Sequence, residues 1–320
     1  MAGVLEESFG LLASDGETIP VHRWMPHKSA KAVLVISHGM GEYALRYRPI
    51  GTCLAEKRFA VYSNDHRGHG YAIKTSELCG DFGRNGFQNL VDDLRQVIEL
   101  AARENPNAPI FLLGHSMGSY AAQLYILDHG DTLSGVALCG ASALDQRPKY
   151  YGDTQMFAVE NNAAFETVRT SFDWLSRDLA IVDRYVDDPL CGFVATPHSL
   201  RSLYSIAPRL QNSFELQKID NDLPILMFTG ELDPVNGFLS HFNVLIDRYR
   251  AAGIHDITTR IYLGARHEIL NEINRLEVLD DIADWMLKVM ENSSREVTNT
   301  HSVFDSYRNA KPYLTSVSLN

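Results

Sequence analysis

Four short runs of the chain are apolar without interruption: AVLVIS (32–37), IFLLG (110–114), GVALCG (135–140) and PILMFTG (224–230). Runs of that length suit strands of a parallel sheet that is covered on both faces. FAVYSND (59–65) and ITTRIYLG (257–264) add two further candidates. Between these runs the period lengthens. Leu90, Leu94, Val97 and Ala101 share one helical face with Val91 and Ile98 beside it, and Asn89 with Asp92 three residues on reads as a helix-start signal. Leu276, Leu279, Ala283, Met286 and Met290 repeat the helical spacing near the end of the chain. Strands alternating with helices predict an α/β fold with a mostly parallel, doubly wound sheet. The opening ESFGLLASDGETIPVHRW sets Asp15-Gly16 between two extended segments, a hairpin pattern that extends the sheet edge.

The rhythm breaks between about residues 145 and 220, where aromatics mix with charge and no clear apolar strand appears. A mostly helical insertion fits that stretch. The residues after Ser293 are polar and aperiodic. The expected organisation is therefore an α/β core over 1–144 and 219–292, an insertion over 145–218 and a tail over 293–320. A chain of 320 residues accommodates one core with one insertion.

Composition narrows the function classes. With 45% hydrophobic and 22% charged residues the chain is of ordinary globular type. A formal net charge of -11 argues against a nucleic-acid partner and against an anionic membrane surface. No basic leader with an apolar stretch opens the chain, and no apolar run approaches about 18 residues. A soluble, cytoplasmic protein is the expectation. Cys53, Cys79, Cys139 and Cys191 are widely spaced and form no C-x-x-C pair, so packed thiols are expected rather than a zinc site or a disulfide framework.

Candidate chemistry enters with FLLGHSMGSYAAQL (111–124). Ser116 lies between Gly114 and Gly118, after a strand pattern and before a helix pattern, which is the arrangement of a nucleophile elbow. A side chain at either glycine position would collide with neighbouring backbone in so sharp a turn. A serine alcohol needs a base, and in this architecture the chain order is serine, acid, histidine. His129 ends the helix that follows the elbow, His198 lies in the insertion, His241 is at a helix start, His255 precedes the last strand and His301 is in the tail. His267 alone occupies the loop between the last strand and the final helix. FTGELDPVNG offers two acids just past a strand end, and Asp233 is preferred because Pro234 stiffens its loop, with Glu231 as the fallback. The second oxyanion donor is expected from the loop SHGMGEY after the first parallel strand, at the Met40 amide, with the Met117 amide as its partner.

HGMGEYALRY (38–47), DHRGHG (65–70), GHSMG (114–118), GELDPV (230–235) and GARHEILNE (264–272) together resemble the α/β-hydrolases that include monoacylglycerol lipases and bacterial lysophospholipases, grouped with the S33 serine peptidases. FDWLSRD and VDRYVDDPLCGF in the insertion share in the likeness, which spans about residues 5 to 290. The resemblance implies a serine ester hydrolase acting on monoacylglycerols, lysophospholipids or short-chain esters through an acyl-enzyme. Its nucleophile would be Ser116, its acid Asp233, its base His267 and its oxyanion amides Met40 and Met117. It also implies a cap over the pocket at 145–218, with at most transient lipid contact through that cap, a small acyl ester as partner, and no metal or other cofactor. His66, Arg67 and His69 then serve as structural hydrogen-bonding groups, since no carboxylate or cysteine completes a ligand set. Animal monoacylglycerol lipases carry another histidine three residues after the catalytic one, where this chain has Leu270. Glu42 and Arg46 remain as candidate polar contacts to the substrate. Two other readings compete: a thioesterase or an aminopeptidase whose cap carboxylates Glu160, Glu166 or Asp173 receive the amine, and a non-catalytic binding module on the same fold.

Overall fold

The computed structural model describes residues 3–149 and 159–296. Eight strands form one sheet: β1 (Leu5–Leu12), β2 (Thr18–Met25), β3 (Ala32–Ser37), β4 (Phe59–Asn64), β5 (Ile110–His115), β6 (Gly135–Cys139), β7 (Ile225–Gly230) and β8 (Ile257–Tyr262). Their spatial order is β1-β2-β4-β3-β5-β6-β7-β8. The β1–β2 and β2–β4 pairs are antiparallel and the other neighbours run parallel. Every residue of β3 through β7 is buried, which is why those stretches read as unbroken apolar runs. β8 closes one edge and keeps exposed positions, so its sequence is mixed. The β1–β2 hairpin turns at Asp15-Gly16, with Gly16 at φ 88°, and occupies the other edge as expected.

Helices cover both faces. α1 (Arg48–Glu56) and the final helix Arg275–Glu296 pack with Trp24, Leu34, Phe111 and Phe228 on one side. α2 (Phe87–Glu104) and α3 (Met117–His129) pack with Val33, Val35 and Leu112 on the other. Leu90, Leu94, Val97 and Ala101 of α2 are all buried, as their spacing predicts. The start of α2 differs from expectation. Gly86, at φ 60°, precedes the helix, and the exposed-by-geometry Phe87 amide is met by Ser202 Oγ at 3.0 Å. Asn89 lies within the helix and donates Nδ2 to Phe82 O at 2.8 Å, so it ties a loop down rather than capping. In the final helix the buried stripe includes Val278, Leu279, Ile282, Ala283, Met286 and Val289, while Leu276 is 68% exposed.

Between β6 and β7 the described residues contribute no strand. They form a turn at Asp173–Leu175 and helices Leu179–Asp187, Pro197–Ser205, Ala207–Gln211 and Ser213–Leu216. The final helix runs to Glu296, into the stretch expected as a tail, and 297–320 lie outside the described residues. All four cysteines are free, Cys139 buried and the other three half-buried. No described helix is long and apolar enough to cross a membrane.

Candidate active site

Ser116 occupies the single residue between β5 and α3, at φ 51° and ψ -116°. A non-glycine residue at positive φ persists only where its surroundings over-determine it. Here the Ser116 amide donates to Cys139 O at 3.0 Å, and both the amide and the hydroxyl of Ser119 donate to Ser116 O. A Cβ on Gly114 would run into the Gly118 carbonyl, and one on Gly118 into the Ser37 carbonyl. Both flanking glycines are thus required by backbone approach. The turn leaves Ser116 half-buried and facing a cavity.

The acid and the base come from the loops after β7 and β8. His267 Nδ1 donates to Asp233 Oδ2 at 2.9 Å, and both side chains are almost wholly buried. Asp233 also accepts from Thr229 Oγ1 at 3.1 Å and, through Oδ1, from the Val235 amide at 2.8 Å. Asn236 Nδ2 in turn donates to Thr229 Oγ1 at 2.7 Å. This carboxylate is fixed by its loop before the imidazole meets it. Glu231 points elsewhere and accepts from the Gly264 amide at 2.9 Å. The imidazole packs between the rings of His115 and Trp174, at centroid distances of 4.9 and 5.3 Å. Ser116 and His267 line the same cavity without a mutual hydrogen bond in this state. Such bonds commonly tighten only with substrate in place.

The Met40 and Met117 amides have no hydrogen-bond partner among the described residues. Met117 is the first residue of α3, so its amide also carries the positive end of the helix dipole. The loop that carries Met40 is held from several sides. Gly39 N donates to Glu42 Oε1 at 2.6 Å, and Gly41 O accepts from Tyr185 Oη at 2.8 Å and Gly192 N at 3.0 Å. Gly41 sits at φ 68°, where a Cβ would meet Phe193 O at 2.5 Å.

Beside this loop lies a buried charge cluster. Arg46 binds Glu268 with both guanidinium nitrogens, at 2.7 and 2.8 Å, and Glu42 at 2.7 Å. Tyr47 Oη donates to Glu42 Oε1 at 2.9 Å, and the Arg46 guanidinium stacks 4.7 Å over the Tyr185 ring. Burial would raise the Glu268 carboxyl, yet Arg46 outweighs it and holds that carboxyl well below its usual range. Glu42, His115 and Glu268 bring one ligand atom each within 4.8 Å of one another. Every oxygen of those two carboxylates already accepts a hydrogen bond, from Arg46, Tyr47, the Gly39 amide or Asn271. Of the two candidate substrate contacts, Glu42 lines the cavity and Arg46 is not among the described lining residues. Its charge is committed to the two glutamates.

The cavity has a volume of about 250 Å³. Met40, Ser116, Met117 and His267 line it from the sheet side, and Trp174, Phe193, Leu200 and Tyr204 from the segment between β6 and β7. None of Glu160, Glu166 and Asp173 reaches it. Asp173 is buried and accepts from Arg169 N and Thr170 Oγ1. The histidine-rich DHRGHG segment is internal scaffolding. His66 Nε2 meets Ser37 Oγ at 3.0 Å, the His66 amide donates to His38 Nε2 at 3.0 Å, and Arg67 pairs with Asp93 and Asp15. Sequence reasoning passed over His115, Trp174, Thr229 and Glu268. The available signal was adjacency for His115 and Glu268, which stand next to Ser116 and His267 in the chain.

The topology, the serine elbow and the histidine–aspartate pair on the loops beyond β7 and β8 define an α/β-hydrolase. The family model described as "Serine aminopeptidase, S33" matches residues 28–274, and the chain belongs to that family. It is 27% identical over 270 residues to a monoacylglycerol lipase of Mycolicibacterium smegmatis, covering 82% of this chain and 91% of that one. It is 26% identical over 292 residues to the monoglyceride lipase of Mus musculus, covering 86% and 89%. Among solved structures, a thermostable carboxyl esterase from Bacillus coagulans in complex with glycerol superposes with a TM-score of 0.79 at 26% identity, covering 89% of this chain and 98% of that one. On these grounds the chain is an ester-hydrolysing enzyme.

Proposed function

We propose that the protein hydrolyses small acyl esters, monoacylglycerols, lysophospholipids or short-chain esters, through an acyl-enzyme on Ser116. The observation that carries this reading is the opening of the strained Ser116 elbow and the His267–Asp233 pair onto one cavity. His267 takes the proton of Ser116 as the alkoxide attacks the acyl carbon, then gives it to the leaving alcohol. Asp233 orients the ring and stabilises its charged form. The Met40 and Met117 amides receive the oxyanion, each lowering the barrier by roughly 3 kcal/mol. Water then enters with His267 again as base and releases the acid. Glu42 contributes a polar contact at the cavity wall.

Residues 145–218 act as a cap, since the turn around Trp174 and the helix Pro197–Ser205 supply a wall of the cavity. Transient lipid contact through that cap is consistent with a net charge that disfavours stable anchoring. The free cysteines fit a reducing, cytoplasmic setting.

A fluorophosphonate probe tests the reading directly. It should label the protein and not its Ser116→Ala variant, whose turnover of a methyl or glyceryl ester should drop on the order of a million-fold. A variant retaining a tenth of the rate would remove Ser116 from its role.

A further inference from the structure

The turn Leu144–Gln146 after β6 sends its side chains in opposite directions. Asp145 faces Arg248 with contacts of 2.5 and 2.7 Å, whereas Leu144 and the following Arg147 line the cavity. Arg147 is partly buried there. Among the described residues no carboxylate lies within ion-pairing distance of its guanidinium. The groups near it are the phenols of Tyr120 and Tyr204, and Tyr120 Oη is itself bonded to Ser142 Oγ at 2.6 Å. The nearby carboxylates have other partners: Asp233 is committed to His267, Thr229 and Val235, and Asp145 to Arg248. His241 nearby carries no negative charge to offer.

Arg46, Arg67 and Arg248, also partly buried, are compensated by carboxylates. Arg46 has two glutamates, Arg67 two aspartates and Arg248 one. A guanidinium among apolar walls without a counter-ion is costly, and an anionic ligand in the adjoining space relieves that cost. A planar fork of donors matches a carboxylate bidentately. Among the described lining residues Arg147 is the one arginine or lysine, held by the Tyr120 phenol and paired with no carboxylate, which suits a monoanion.

We propose that the substrate is an acyl ester bearing a carboxylate on its acyl chain, and that Arg147 binds that carboxylate. The proposal rests on the hydrolytic reading above. Tyr120, beside Arg147, is one helical turn past Ser116 on α3, so the carboxylate and the scissile carbonyl are separated by several bonds. Monoesters of medium dicarboxylic acids have that shape.

The test compares monomethyl adipate with methyl hexanoate on the full-length protein, following acid release at constant pH. Charge-assisted hydrogen bonds of ordinary strength correspond to a preference for the half-ester of about tenfold to a hundredfold in kcat/KM. The preference should reside mainly in KM. Arg147→Met should cut the ratio of the two kcat/KM values at least tenfold, and Arg147→Lys should keep an intermediate ratio. Equal or faster hydrolysis of methyl hexanoate by the unaltered protein overturns the role of Arg147, whatever the variants do. So does an unchanged ratio in Arg147→Met. Failure to hydrolyse either ester, together with no fluorophosphonate labelling, overturns the hydrolytic reading itself and the proposal with it.

Discussion

Arg46 shows how one side chain sets the geometry of two functional loops. Glu42 belongs to the loop that carries the Met40 amide, Glu268 follows His267, and Arg46 bridges them from outside the cavity. Removing one partner of a buried ion pair leaves uncompensated charge and costs about 3 kcal/mol or more. Arg46→Met, which leaves Glu42 and Glu268 without their cation, should therefore lower the unfolding free energy by about 3 kcal/mol, read from a urea transition, and slow ester turnover as the His267 loop loosens. A loss under 0.5 kcal/mol would show that the bridge is ornamental. Asp233 was legible from the proline after it, and the structure adds what holds its two oxygens: Thr229 near the end of β7 and the Val235 amide in the loop that follows. Glu268 was not legible. A glutamate after a histidine carries no period or spacing signal, and its partner is 222 positions away.

At the scale of elements, the elbow is enforced by contact between backbones. Gly118 sits so close to Ser37 that any Cβ would push β3 and α3 apart. Gly118→Ala should destabilise the protein by about 3 kcal/mol and abolish ester hydrolysis, because overpacking at a backbone contact has no flexible side chain to absorb it. Gly130, at φ -60°, is the matched control: a Cβ there meets nothing nearer than Leu223 Cδ2 at 3.6 Å. Gly130→Ala should leave hydrolysis intact and change stability by no more than about 1 kcal/mol. Equal behaviour of the two variants in thermal melts would refute the steric account. The elbow and strands β3 to β7 were readable because full burial writes an unbroken apolar run and sharp turns demand glycine at fixed positions. The final helix was read less well. Several sets of its residues fit a period of 3.6, and only the packed structure shows that Val278 and Ile282 face the sheet while Leu276 faces water. The start of α2 escaped because its cap comes from Ser202, 115 positions away.

For the molecule as a whole, the buried histidines tie stability to pH. His38, His66, His69 and His115 are all enclosed. Burial, with the neighbouring histidines adding to it, depresses their basicity: His38 and His115 to about 4, His69 to about 3 and His66 in the same direction. In the unfolded chain each titrates near about 6.5. Between those values the unfolded state binds more protons than the folded one, so stability is full above about pH 6.5 and falls as pH drops toward 4. Each ring contributes a slope of about 1.4 kcal/mol per pH unit. Four together would remove on the order of 5 kcal/mol between pH 6.5 and 5, a large share of what holds a typical domain folded. Urea midpoints should thus decline steeply from pH 7.5 to 5, and His69→Phe, which keeps a ring against Phe82 and Phe193, should flatten the decline by about one quarter. Asp145 and Glu268, which Arg248 and Arg46 hold below the usual carboxylate range, lose that stabilisation only below about pH 4.5, outside that window. A midpoint that stays level from pH 7.5 to 5 would mean that these rings accept protons inside the fold, and the packing around the site would then have to open to let them do so.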